Sequence, residues 1–163
     1  MPKVIAALAN DISTDIIYPG RYMATVLPTE TPQYAFANEP ELNAKLREKQ
    51  HPPGSVIVAG KNFGCGSSRE QAVSTLAGYG LTIVAEGIAR IFLQNAINLG
   101  LKVVIAPGIA ASVGDELELQ EGQVVNRTTG KSFDVVPLPS SRQAILDAGG
   151  LIAYTRRRLV EAI

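Results

Sequence analysis

The chain has 163 residues, 46% of them hydrophobic, with one cysteine and one histidine; it is long enough to bury a core without disulfides or metals and is expected to form one domain over 1–163. Fifteen Lys and Arg balance fifteen Asp and Glu, so no overall field recruits nucleic acid or an anionic membrane, and any anion must be caught by local geometry. The single thiol excludes an internal disulfide, and without an N-terminal apolar stretch to act as signal or membrane span, the expected compartment is the cytoplasm. Val4–Leu8 reads as a first strand, apolar enough to be central, and Asn10–Asp15 turns the chain with small polar side chains. Tyr18-Pro19-Gly20 is a turn signal, followed by a loop over Arg21–Thr25. Pro28, Pro32 and Pro40 punctuate a surface excursion in which Gln33–Asn38 and Glu41–Lys49 are short helices. His51-Pro52-Pro53-Gly54 returns the chain to a buried strand, Ser55–Ala59. Two more buried strands, Leu81–Ala85 and Lys102–Ala106, alternate with a helix carrying Ala72, Val73, Leu76 and Ala77 on one face and with a helix over Ile88–Leu99. In the second helix Ile88, Ile91, Phe92 and Leu99 are expected inward, and the alternation makes a parallel βαβαβ unit. Beyond Pro107-Gly108 the period changes to two over Glu116–Gln120, Gln123–Asn126 and Ser132–Val136, which reads as hairpin strands. Ser140 or Ser141 caps a helix ending at Gly149-Gly150, and a last helical stretch carries Arg156–Arg158.

The stretch Gly60–Glu70 (GKNFGCGSSRE) links a buried strand to a helix, the place where α/β chains carry function. Gly60, Gly64 and Gly66 free the backbone to bend and present N–H groups, and the helix start adds a positive dipole end suited to an anion. Ser67, Ser68 and Arg69 then face that anion, Arg69 with a planar fork matched to a carboxylate. A dinucleotide fingerprint is a poor match, because Arg69 occupies its third glycine position, and a phosphate loop fails for want of a Gly-Lys-Ser/Thr. A tight turn in which Ser67 or Ser68 caps the helix, with Glu70 in a capping box, stays open. Asp15 is either a turn-forming or capping carboxylate or a site group. Arg90 and Asn95 are either surface contacts or substrate-positioning groups. His51, alone beside two prolines, reads as a loop residue, with no second histidine to make a metal pair and little prospect of a relay to Ser67.

Gly60–Glu70 closely resembles the signature of the small subunits of 3-isopropylmalate dehydratase and of the matching swivelling domain of aconitase and homoaconitase. Asp11–Tyr22 (DISTDIIYPGRY) resembles the family's N-terminal Asp-Thr-Asp and Pro-Gly segment, Ala89–Gly100 its second helix, and Gly149–Arg158 its usual chain end. The resemblance implies a three-layer β/β/α swivelling domain with a parallel βαβαβ core and added hairpin strands. It implies a hydro-lyase that moves the hydroxyl of a small hydroxy dicarboxylic acid to the neighbouring carbon by dehydration and rehydration. In the related enzymes a [4Fe-4S] cluster acts as Lewis acid while a serine alkoxide takes the carbon-bound proton. Carried onto this sequence, Ser67 is the base, Asp15 a second catalytic-site residue that orients its polar neighbours, and Arg69 the clamp on a substrate carboxylate. Ser68, Gly66, Arg21 and Ala24 complete the substrate-binding set.

A cluster needs three or four thiolates, and Cys65 stands alone, so no metal is expected on this chain. Cys65 reads as a small half-buried loop residue, and the cluster is expected on a separate large subunit that completes the active site. Two residues past Tyr22, where homoaconitases carry an arginine, this chain has Ala24, beside Met23; that favours an apolar substituent such as isopropyl, and so a role in leucine synthesis. Methylmalate, dimethylmalate or homoaconitate as substrate, and a non-catalytic ligand-binding domain, are the alternatives. Gln71 and Gly87 depart from the family's usual residues, and neither is expected to touch the chemistry directly.

Overall fold

Four short apolar runs frame the computed structural model, which describes residues 1–162. Val4–Ala7 (β1), Val56–Ala59 (β2), Thr82–Ala85 (β3) and Lys102–Ile105 (β4) pair in parallel in the order β1-β2-β3-β4. Each strand adds on the same side of the last, and right-handed crossovers then put every connecting helix on one face. Those helices are α1 (Thr14–Ile17), α2 (Pro40–Arg47), α3 (Glu70–Ala77) and α4 (Arg90–Leu99), followed later by α5 (Ser140–Asp147) and α6 (Leu151–Glu161). Ile5, Ile57, Ile83 and Val103 of the strands pack with Leu46, Leu76, Phe92 and Ile97 of the helices. The alternate strand residues Val4, Val56, Val58 and Val84 pack instead with Leu117 and Val124. These last belong to an antiparallel sheet of β5 (Leu117–Gln120), β6 (Gln123–Asn126) and β7 (Ser132–Asp134), which closes the face the helices leave open. The three layers and the parallel core are those expected.

Burial from both sides made β1 look central, yet it is an edge strand, because layers bury it and hydrogen-bonded neighbours do not. Its open side is covered by returning chain: Val4 N–H donates to Asp115 O (2.9 Å) and Gly114 N–H to Val4 O (2.8 Å). At the other edge Val136 N–H donates to Ile105 O (2.8 Å), so neither rim of the parallel sheet is fully bare. In α4 the inward face is Phe92, Ala96 and Ile97, while Ile91 and Leu99 are exposed; the helix starts at Arg90, and the stripe facing the sheet lies one position round from the one expected. Thr31–Tyr34 forms a short 3-10 helix where Gln33–Asn38 was expected, and β7 stops at Asp134. Neither Ser140 nor Ser141 caps α5; the N-cap position is Pro139, whose fixed φ starts the helix without a side-chain bond. Among the described residues no helix is long and apolar enough to cross a membrane.

Candidate active site

Beyond Ala59 the chain continues from β2 in an irregular extended path laid between two neighbours. On one side Asp11 N–H donates to Lys61 O (2.9 Å), Gly64 N–H to Ile12 O (2.7 Å) and Thr14 N–H to Cys65 O (2.8 Å). On the other, Phe63 N–H donates to Gly87 O (3.0 Å) and Ala89 N–H to Phe63 O (2.8 Å). The glycines earn this path in different ways. Gly64, at φ +81, lies on the Phe92 ring, where a Cβ would stand 2.3 Å from Phe92 Cγ. Gly60 is there for space: a Cβ would meet Asn10 Oδ1 at 2.0 Å, and that oxygen accepts from Lys61 N–H at 2.7 Å.

Ser67, Ser68 and Arg69 leave this braid just before α3, whose N-cap is Arg69 with no side-chain cap bond. The serine-cap alternative therefore does not hold, and both serines are exposed residues on the loop. Met23, Ser67, Ser68, Arg69, Glu70 and Gln71 line an open depression of about 450 Å3. Arg69 Nη1 donates to Asp15 Oδ1 (2.7 Å) and to Tyr18 O (3.2 Å), spending both its protons on the chain. Among the described residues Nε and Nη2 make no hydrogen bond, and that pair is one with which arginine can grip a carboxylate with two bonds. Asp15 Oδ1 also accepts from Gly20 N–H (2.9 Å). The Arg69 guanidinium, and then Gly20 N–H, hold the Asp15 carboxyl below the usual carboxylate range. Asp15 is thus neither cap nor Asx-turn; the cap of α1 is Ser13, whose Oγ accepts from Ile16 N–H (3.2 Å). Ser67 Oγ lies 3.2 Å from the hydroxyl of Thr14, a side chain only 2% exposed.

The segment after Asp15 is anchored by aromatics. Tyr18 is fully buried and its one hydroxyl proton is shared between Tyr22 O (2.9 Å) and Thr25 O (3.3 Å); burial pushes its pKa up, so it remains a neutral donor. Tyr22 stacks on Tyr34 at 4.0 Å, with the Arg21 guanidinium 4.7 Å from the centroid of the Tyr22 ring. Arg21–Thr25 is therefore more ordered than a plain loop, beginning as a 3-10 helix over Gly20–Tyr22. Arg21 and Ala24 are both exposed and outside the lining of the depression; Met23 is the residue of this segment that lines it. Gln71, not expected to touch the chemistry directly, lines the same depression and its Nε2 donates to Met23 O (3.2 Å). Asn95 reaches the loop through Nδ2 to Ser68 O (3.5 Å), whereas Arg90 is exposed. Sequence reasoning missed Thr14, the Tyr18 anchor and the place of Gln71 in the depression; only Ser13, a polar residue ahead of Asp15, carried a local helix-start signal.

A larger cavity of about 730 Å3, between β4, the β5–β6 turn and α5, holds none of these residues. Its lining mixes apolar side chains with Lys102, Glu121, Asp147, Ser140 and three glutamines, and among the described residues no three His, Cys, Asp or Glu side chains converge there as metal ligands. His51 sits at the opposite end of β2 from Ser67, edge-on to Tyr79 at 5.9 Å, so no Ser–His relay exists. The donor set does not fit a [4Fe-4S] cluster: the chain has one cysteine, and among the described residues no three His, Cys, Asp or Glu side chains converge as ligands. Cys65 is half-buried, and its backbone carbonyl, accepting from Thr14, is its contribution to the site.

Residues 11–106, which hold every group described above in the depression, match the family of the aconitase C-terminal domain. The 3-isopropylmalate dehydratase small subunit 1 of Methanopyrus kandleri is 46% identical over 91% of this chain and 88% of its own length. The isopropylmalate/citramalate isomerase small subunit of Methanocaldococcus jannaschii is 42% identical over 94% of this chain and 92% of its own. The crystal structure of 3-isopropylmalate dehydratase from Methanocaldococcus jannaschii superimposes with a TM-score of 0.84 at 36% identity, covering 98% of this chain and 96% of that one. With the Ser67–Arg69 loop seated in the same fold over nearly its whole length, this chain belongs to the aconitase C-terminal domain family, among the small subunits of 3-isopropylmalate dehydratases.

Proposed function

We propose that this chain is the small subunit of a two-subunit hydro-lyase that interconverts 2-isopropylmalate and 3-isopropylmalate, by loss and re-addition of water, in cytoplasmic leucine synthesis. One observation carries the reading: exposed Ser67 and the ion-paired Arg69 stand together on an open depression. That is half of an acid–base site. In this reading Ser67 takes the proton from the carbon beside a carboxylate as the neighbouring carbon loses its hydroxyl, and in the rehydration it delivers a proton to that neighbouring carbon while water adds its hydroxyl to the first. A free serine is a poor base, so its oxyanion depends on preorganised donors close by. Arg69 grips a substrate carboxylate, with Gly66 and Ser68 alongside. Asp15 fixes the guanidinium through Nη1. Arg21 is an outer, electrostatic contributor, and the Met23–Ala24 segment faces the variable substituent.

The cluster, for which this chain has no ligand set, is assigned to a large subunit that closes over the depression, and the whole of 1–163 acts as one swivelling domain. The test is reconstitution. Purified chain and purified large subunit are assayed apart and mixed, following interconversion of 2- and 3-isopropylmalate; activity only in the mixture supports the reading, and full turnover by this chain alone overturns it. A second substrate, citramalate, is favoured by one relative that carries both substrates in its name. It bears a methyl group where isopropylmalate bears isopropyl, and kcat/KM for the two decides between them, because a pocket built for isopropyl gains only a few kcal/mol over methyl.

A further inference from the structure

Thr14 is 2% exposed, and the hydrogen bond its hydroxyl makes is to Ser67 Oγ at 3.2 Å. It is the first residue of α1, where no carbonyl of a preceding helical turn competes for the hydroxyl. Its backbone is held from both ends: Thr14 N–H donates to Cys65 O (2.8 Å) and Tyr18 N–H donates to Thr14 O (2.8 Å). Because Cys65 is two residues before Ser67, the bond from Thr14 N–H ties the hydroxyl pair to the same strip of backbone. Gly66, between them, supplies the φ of +100 that this turn needs; a Cβ there would only come into contact with Thr14 Oγ1, at 3.4 Å.

We propose that Thr14 is a positioning residue for the base, donating its buried hydroxyl proton to Ser67 Oγ whenever that oxygen is ionised. This deepens, and rests on, the reading of Ser67 as the base. Either oxygen can donate while both hydroxyls are intact. Once Ser67 has lost its proton only Thr14 has one to give, so the direction of the bond is set by the ionised state. β-Branching and burial together restrict χ1 of Thr14, so the donor is largely aimed before the reaction starts. Ser67 alone, exposed on its loop, has no such constraint.

The experiment uses the complex of this chain with its large subunit and four variants: Thr14→Val, Thr14→Ser, Ser67→Ala and the Thr14→Val/Ser67→Ala double. Valine keeps the branched shape and removes the hydroxyl. It is expected to lower kcat by about 10- to 100-fold, the factor carried by a hydrogen bond to a charged oxygen, with KM within about twofold of the parent. Thr14→Ser keeps the hydroxyl and is expected to recover most of kcat, which a purely structural role would not allow, since it removes the methyl. In the Ser67→Ala background the valine change is expected to cost nothing more. Equal rates for Thr14→Val and the parent, or equal losses for Thr14→Val and Thr14→Ser, overturn the proposal while leaving Ser67 as base. Full activity of Ser67→Ala overturns the base itself. Should Thr14→Val lose its cooperative melt, Thr14→Ala compared with Thr14→Ser makes the same test, and equal rates again overturn it.

Discussion

Replacing Asp15 with asparagine separates what this carboxylate does for stability from what it does for the site. Its side chain is 63% exposed and that of Arg69 20% exposed, at 2.7 Å, so the pair is close to a surface ion pair and contributes about 1 kcal/mol or less. For a chain of this size that is a fall in Tm of about 2–4 °C at most. Asparagine can still accept from Gly20 N–H through its amide oxygen, but it loses the charge that holds Arg69 Nη1. The guanidinium is then tethered by Tyr18 O alone and samples other rotamers, so its Nε–Nη2 edge is no longer preset. Losing that preorganisation is expected to raise KM for isopropylmalate about tenfold, equivalent to about 1.4 kcal/mol, with a smaller change in kcat. Because Arg69 and Gly20 N–H depress the Asp15 pKa in the folded state, the stabilisation is fully present above the unfolded value of about 3.9 and is lost as pH falls through the lower folded value. The parent-minus-variant stability difference should therefore be flat above about pH 4 and shrink below it. Urea melts across pH 2–7 and steady-state kinetics on the reconstituted complex provide both readouts. An unchanged KM, or a loss of stability above about 2 kcal/mol, would refute the assignment of Asp15 to the site, the second outcome making it a structural group.

Ser67→Ala is expected to leave folding and subunit association intact and to lower kcat at least about a hundredfold, the low end for loss of a general base, in the same kinetic assay. Arg69→Lys should mainly raise KM, because an ammonium cannot reproduce a two-pronged grip; a pure kcat effect would argue against carboxylate binding. Ala24→Arg is expected to shift kcat/KM from isopropylmalate toward homoaconitate, and an unchanged ratio would leave Met23, which lines the depression, as the reader of the substituent. Gly64→Ala, adding a Cβ 2.3 Å from Phe92 Cγ at φ +81, should cost about 2–5 kcal/mol from overpacking plus left-handed strain, measured by denaturant melts; a cost below about 1 kcal/mol would mean that the loop shifts freely.

The sequence by itself determined the strands, because Val56–Ala59 and Thr82–Ala85 are runs of four buried residues whose apolar character is local. It also determined the strand, glycine loop and helix that present Ser67 and Arg69, since glycines and short polar runs act on the few residues around them. The hairpin of β5 and β6, pairing Gln120 with Gln123 around Glu121-Gly122, was legible for the same reason. Only the tertiary structure decided that β1 lies at an edge, that α4 turns Ile91 and Leu99 outward, and that Gly60 is needed for the side chain of Asn10. It alone brought Asp15 to Arg69 and Thr14 to Ser67, contacts across 54 and 53 positions. Such pairs leave no periodicity to read: a residue can be marked as a candidate by its own neighbourhood, as Ser67 and Arg69 are, without its distant partner being marked. The packing of residues 10–18 against the chain that leaves β2 makes them one site.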